Sequence, residues 1–257
     1  MAKKYTEEDY KKDYERFLMQ VAERDRQMMW RIRKKTKKAR NYLSYLLFRE
    51  GAIRFSNKGF KFNLHDKYPK VPLSPNYVNF RDVLRNAFIR NLIADLMLPI
   101  VKEINPDLLV DLPQSISPLV TTLSDRTGIN IITIRSEALK GEKKTHGIAK
   151  PIMGNYEKGQ RALIIDDVVS SRAYTKEKAV AVLEDAGLEA VRKIVVIGDR
   201  EEGGEEILAK MEFTLISVLK FKQMLRQYLE EKKISRKIYN KSLAFARISK
   251  RLALKGK

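Results

Sequence analysis

No cysteine occurs in the 257-residue chain, which excludes disulfides and thiolate metal sites. Histidine is scarce as well. His65 and His146 are the only two, too few for a histidine-based metal centre, so no metal held by the protein alone is expected. No run of about 18 apolar residues is present, so no segment reads as a membrane-spanning helix. The stretch from Met1 to Asp9 lacks the apolar segment of a signal peptide. These absences lead to the expectation of a soluble, cytoplasmic protein. Abundant Lys and Glu without Cys is a composition found in proteins of thermophiles. With 44% apolar residues, the chain can build one good core and carry extensions.

What is abundant is positive charge. The net charge is +20, and it is unevenly placed. Residues 1–50 carry +7, residues 51–220 only +3, and residues 221–257 carry +10. A nearly neutral body with basic ends is the electrostatic footprint of a polyanion binder. Arg31, Arg33, Lys34, Lys35, Lys37, Lys38 and Arg40 fall within ten residues that contain no acid. Lys232, Lys233, Arg236, Lys237, Lys241, Lys250 and Arg251 repeat the theme near the other end. Two readings stand: these residues bind nucleic acid, or they are solvated helix faces that keep the protein soluble.

The chain divides on this basis into a basic helical segment (1–50), a central domain (51–220) and a second basic helical segment (221–257). Thr6 is an N-cap candidate with Asp9 three positions on. No Pro or Gly interrupts from there to Phe48, and Met28, Met29 and Trp30 read as docking residues. Residues 52–55 and 60–62 predict a short hairpin, 77–80 a strand and 82–104 one helix. Strands are predicted at 108–111, 131–134, 162–165, 193–197 and 213–218. Helices are predicted at 118–126, 175–186 and 221–255. Residues 136–158 are polar and long enough for a functional loop. Strands alternating with helices predict an α/β, doubly wound, mostly parallel sheet.

The most informative segment is 162–175. An apolar run ends in Asp166 and Asp167, then Ser170 and Ser171, then a helical pattern. In an α/β sheet this sets paired acids and a hydroxyl-rich loop at the carboxyl end of a strand, over a helix N-terminus. Vicinal carboxylates suit the 2′- and 3′-hydroxyls of a ribose, and the loop suits a phosphate. The segment resembles the phosphoribosyl-pyrophosphate motif of the type I phosphoribosyltransferases. Gly51 to Phe55, Ser74 to Arg81 and Asp199-Arg200-Glu201-Glu202-Gly203-Gly204 extend the resemblance, over residues 45–235, to the orotate phosphoribosyltransferases.

That resemblance implies a small hood beside the sheet and a dimer. It implies catalytic roles for Asp166, Asp167, Lys144 and His146. It implies Arg135, Ser170, Ser171 and Arg200 as substrate-binding residues; Arg172, a departure from the pattern, is a substrate-binding candidate by placing a point charge on the phosphate. Its implied ligands are phosphoribosyl pyrophosphate or a nucleotide, with Mg²⁺ bound through the pyrophosphate. Lys144 and His146 sit in Lys143-Lys144-Thr145-His146-Gly147, which resembles a catalytic lid whose charge would meet the departing pyrophosphate. An exposed basic loop is the other reading of that segment. For Arg200 the two readings are a contact to the orotate base and an ion pair with Asp199, Glu201 or Glu202.

Three positions depart from the family pattern. The loop 112–119 has no glycine. Arg172 and Ala173 replace the Gly and the hydroxyl of the 5′-phosphate loop, and a non-Gly residue at positive φ costs about 1–2 kcal/mol. Ser136 stands where a diphosphate-binding Lys is usual. These departures, with the basic ends, lead to the expectation of a catalytically impaired member recruited to RNA or a ribonucleoprotein, the ribosome first. An active orotate phosphoribosyltransferase is the second reading. A DNA-binding regulator is the third, weakened by the lack of a helix-turn-helix before residue 50.

Overall fold

The computed structural model describes residues 6–13, 29–112, 116–141, 150–171 and 173–255, with residues 29–35 described by their backbone alone. Helix α1 (7–13) opens as its sequence predicts. Thr6 Oγ1 accepts from Asp9 N at 3.2 Å, and Asp9 Oδ2 accepts from Thr6 N at 2.9 Å. Helix α2 (Met29–Arg49) buries Ala39, Tyr42, Leu43, Leu46 and Leu47, the i, i+3, i+4 stripe of a helix with one face on a core.

Strand β1 (Ile53–Phe60) pairs antiparallel with β2 (Ser74–Val78), with the short helix α3 (Asn63–Lys67) between them. The hairpin expected within 52–62 is therefore replaced by one long strand whose partner lies further on. Gly59 explains the pairing: at φ +85 it lets the chain pass against Leu73, where any Cβ would collide. The helix expected over 82–104 is split. A 3₁₀ turn (Asp82–Arg85) precedes α4 (Ala87–Ile104), because Asn86 caps α4 by accepting from Phe88 N at 3.0 Å and Ile89 N at 3.3 Å.

The main sheet contains β3 (Leu108–Asp111), β4 (Asn130–Ile134), β5 (Ile152–Met153), β6 (Arg161–Val169), β7 (Glu189–Asp199) and β8 (Thr214–Lys220) in the order 5-4-3-6-7-8, all parallel except β5. Helices α5 (Ser117–Thr127), α6 (Ser136–Lys140), α7 (Tyr174–Asp185) and α8 (Gly204–Lys210) connect them. Helices α9 (Phe221–Glu230) and α10 (Arg236–Lys255) follow, separated where the sequence predicts one helix. From β3 the chain continues outward to β4, and from β6 it continues the other way to β7. The β3/β6 boundary is thus the switch point at which doubly wound sheets hold ligands.

Two apolar clusters cover the two faces of the sheet. One joins α4 to Leu43, Leu46 and Leu47 of α2 and to Phe221, Leu225 and Tyr228 of α9, so helices from both basic ends enter the core. Tyr228 is fully buried; its hydroxyl donates to Ser44 O at 2.8 Å and accepts from Ser44 Oγ at 3.1 Å. No helix among the described residues is long and apolar enough to cross a membrane.

Candidate active site

Asp166 and Asp167 do not follow β6 but lie within it, because pairing with β7 continues as far as Val169 opposite Asp199. Both carboxylates are buried and both meet cations. Asp166 Oδ2 forms an ion pair with Lys176 Nζ, itself buried, and that ammonium also donates to Val168 O at 2.9 Å. Asp167 Oδ2 accepts from Arg81 Nε at 3.1 Å. Arg81 follows β2, so the hood reaches the sheet at this carboxylate. Burial pushes the Asp167 carboxyl above its ordinary value, and the adjacent Asp166 charge adds to that; Lys176 and Arg81 pull the other way.

Across the switch point, Asp111 ends β3. Its Oδ2 accepts from Ser117 Oγ at 2.7 Å and from Thr133 Oγ1 at 3.4 Å, while its buried Oδ1 has no hydrogen-bond partner. Burial raises this carboxyl too. Carboxylates from two adjacent parallel strands thus line the switch point, with Lys176 and Arg81 engaging the pair on β6. Among the described residues, no group of three or more His, Asp or Glu side chains is placed to hold a metal by itself.

The loop after β6 leads into α7 through Ser170, Ser171 and Ala173. Ala173 is the N-cap and has no side chain able to accept from the first turn, so those backbone N–H groups lack a side-chain acceptor there. On its other side the loop touches Gly204, where an added Cβ would overlap Ser170 O and Val169 Cγ1. A cavity of about 220 Å³ opens beside the loop, lined by Ser171, Ala173 and Tyr174, by Lys67 and Tyr68 of the hood, and by Leu252 of α10.

Arg200 is buried at the end of β7. Its Nε donates to Glu202 Oε1 at 3.0 Å, its Nη2 to Asn76 Oδ1 at 3.1 Å, and its guanidinium lies 5.2 Å over the Phe62 ring. An ion pair with Glu202 is present at 2.8 Å, as one of the two sequence readings expects. Glu202 Oε2 in turn accepts from Ser249 Oγ of α10 at 3.3 Å. Asp199 is held by Lys220 Nζ at 2.7 Å and Glu201 N at 2.7 Å.

The structure thus brings together Asp166, Asp167, Ser170 and Ser171 at the switch point, with Arg200 at the next strand end. Arg135 turns elsewhere, its Nε donating to Lys150 O at 3.0 Å. Lys144, His146 and Arg172 lie outside the described residues. Sequence reasoning missed Lys176, Arg81, Asn76 and Asp111. Asp111 left a signal as a lone acid ending an apolar run, and Asn76 and Arg81 lie in the segment 74–81 that carries the resemblance.

Of the basic residues, Lys38 is paired with Asp13 at 2.9 Å, Lys250 with Glu206, and Lys233 with Glu231 at 2.9 Å. Lys37 and Arg40 line a cleft between α2 and α9. Lys232, Arg236, Lys237, Lys241 and Arg251 are exposed. The side chains of Arg31, Arg33, Lys34 and Lys35 lie outside the description.

No protein-family model matches the chain. The orotate phosphoribosyltransferase of Chlamydia felis is 32% identical over 185 residues, which are 72% of this chain and 84% of that protein. The structure of Leishmania donovani UMP synthase superposes with a TM-score of 0.66 at 27% identity, over 80% of this chain and 42% of that longer one. The Mycobacterium tuberculosis orotate phosphoribosyltransferase in complex with phosphoribosyl pyrophosphate shares the fold, with a TM-score of 0.51 at 19% identity over 72% of this chain and 91% of that one. Identity of 32% across most of a relative's length carries more than a common fold, and the chain belongs to the orotate phosphoribosyltransferase family.

Proposed function

We propose that the protein transfers the phosphoribosyl group of phosphoribosyl pyrophosphate to orotate, giving orotidine 5′-monophosphate and pyrophosphate. The bond from ribose C1 to the pyrophosphate oxygen breaks, a bond from C1 to orotate N1 forms, and the N1 proton is lost. The observation that carries this reading is the buried pair Asp166 and Asp167 at the switch point. Their oxygens accept from the two ribose hydroxyls, and their negative charge favours the positive charge that develops at C1 as pyrophosphate departs. Ser170, Ser171 and the first turn of α7 hold the 5′-phosphate, with the charge of Arg172 in place of the family's glycine. Arg200 meets the orotate, and Lys144 and His146 meet the pyrophosphate. Carboxylates at the switch point, with no protein-built cage among the described residues, fit Mg²⁺ that arrives on the substrate. When bound, that ion neutralises the leaving group.

The named relatives support this transferase ahead of the RNA and ribosome reading. The deciding assay is orotate-dependent pyrophosphate release, with Mg²⁺ and phosphoribosyl pyrophosphate, beside the Asp166→Asn/Asp167→Asn protein. Turnover that disappears in the variant supports the proposal; a folded wild type without turnover rejects it.

One observation favours RNA as a second ligand. Helix α10 has seven cations and no acid, and Arg236, Lys237, Lys241, Arg247, Arg251 and Lys255 are exposed along it. Binding of a short RNA that weakens steeply with salt, and falls in Arg236→Glu/Lys241→Glu protein, supports this reading; salt-independent binding counts against it.

A further inference from the structure

The α2/α9 cleft contains a charge problem that the transferase reading does not absorb. Lys37, Arg40 and Asn41 come from α2, and Gln223, Arg226, Gln227 and Glu230 from α9, around a volume of about 510 Å³. That size lies within the range of small-molecule sites. Arg40 is half-buried, and its Nε is fully enclosed without a hydrogen-bond partner. Burial holds its pKa below the ordinary value, and no carboxylate among the described residues acts to restore it. Lys37 and Arg226 form no ion pair among the described residues.

The nearby acids leave this charge in place. Glu231 is engaged by Tyr10 Oη at 2.7 Å, Gln227 Nε2 at 2.8 Å and Lys233 at 2.9 Å. Glu230 is exposed at the rim. Among the described residues, three cations against one rim acid leave the cleft positive. A buried cation with no counter-charge is costly, and a guanidinium fork is the group best shaped for phosphate oxygens. The walls are also fixed in position. Gln227 Nε2 donates to Asn41 O at 3.0 Å, and Tyr228 on the next residue is bound to Ser44 of α2.

We infer that the cleft between α2 and α9 binds a phosphate group, either free or carried on a nucleotide-sized ester. Arg40 and Arg226 hold the phosphate oxygens, and Lys37 adds charge from the rim. The side-chain amides of Asn41 and Gln223 offer both donors and acceptors to whatever the phosphate carries. None of these residues belongs to the switch-point crevice, so the inference stands independently of the transfer reaction.

The test is calorimetric titration of the full chain with inorganic phosphate, with adenosine 5′-monophosphate and with a ten-nucleotide RNA. The proteins compared are wild type, Arg40→Gln, Arg226→Gln and Asp166→Asn/Asp167→Asn. Binding of phosphate or adenosine 5′-monophosphate that persists in the aspartate variant, and weakens roughly tenfold or more in each arginine variant, supports the inference. Tighter binding of adenosine 5′-monophosphate than of phosphate identifies an ester as the ligand, and equal binding identifies free phosphate. Affinity unchanged in both arginine variants overturns it. So does binding of the RNA without either small anion, which would make the cleft part of a polyanion surface. If Arg40→Gln fails to fold, the exposed Arg226→Gln decides alone. Glu230→Gln, which removes the rim acid, is expected to strengthen binding.

Discussion

Lys176 and Asp166 form an ion pair in which both side chains are buried, and the ammonium also bonds the carbonyl of Val168. The pair ties the first turn of α7 to the strand that carries the acids. Removing one partner strands the other without solvent. Lys176→Met is therefore expected to lower stability by about 3 kcal/mol or more, seen as a lower urea midpoint. Lys176→Arg should recover part of the loss. A Met variant as stable as wild type would show that the pair is not formed in solution.

Asp167 carries a pH dependence with opposite effects on stability and binding. Its folded carboxyl titrates above the ordinary value of 3.8, from burial first and Asp166 second. The folded state thus keeps the proton longer than the unfolded chain does. The associated stability is present below the unfolded value and is lost as pH rises through the folded one. Asp167→Asn is expected to raise the melting temperature at neutral pH, by about 2–4 °C for each 1 kcal/mol relieved. Affinity for phosphoribosyl pyrophosphate should follow the reverse course. Its KM should rise as pH falls through the raised value, because a protonated carboxyl is a poor acceptor for the ribose hydroxyls. A KM that is flat with pH across that range would remove Asp167 from the ribose site.

Arg200→Lys keeps the charge but loses the planar fork that spans Glu202 and Asn76. The KM for orotate should rise roughly tenfold or more, with the KM for phosphoribosyl pyrophosphate unchanged. Equal changes in both would mean that the arginine acts only through the fold.

Gly204→Ala places a methyl group against Ser170 O and Val169 Cγ1. Overpacking at backbone that is already fixed should cost about 3 kcal/mol. It should also raise the KM for phosphoribosyl pyrophosphate, because Ser170 has to move. A variant of normal stability and KM would place the loop differently from this structure.

Chelation separates a metal that arrives with substrate from a structural one. Excess EDTA should stop turnover and leave the melting temperature unchanged, as expected where no described cluster of side chains holds an ion. A fall in melting temperature would point to a metal bound by the protein itself.

Much of the sheet was legible in the sequence. Leu108–Asp111 and the apolar run at 162–165 read as buried strands because parallel strands covered on both faces carry continuous apolar residues. The acids were legible as a pair, but their place inside β6 was not, since pairing with β7 sets where the strand ends. Lys176 was hidden because its partner lies ten positions back, across a turn. Arg81 and Asn76 reach the site only through the hood, whose β1/β2 pairing the local pattern misassigned. The inner face of α10 was obscured by Ser242 and Ser249, two polar residues that are fully buried there.

That inner face has a consequence for the protein's synthesis. Arg200 is held by Glu202, and Glu202 is met by Ser249 of α10, 47 residues further along the chain. Chains emerge N-terminus first and fold as they appear. The acids of β6 can therefore be in place on a nascent chain whose Arg200 still lacks its last brace. Only a polypeptide translated through α10 can complete that brace. Translation products that stop before α10 would display Asp166 and Asp167 without a braced Arg200.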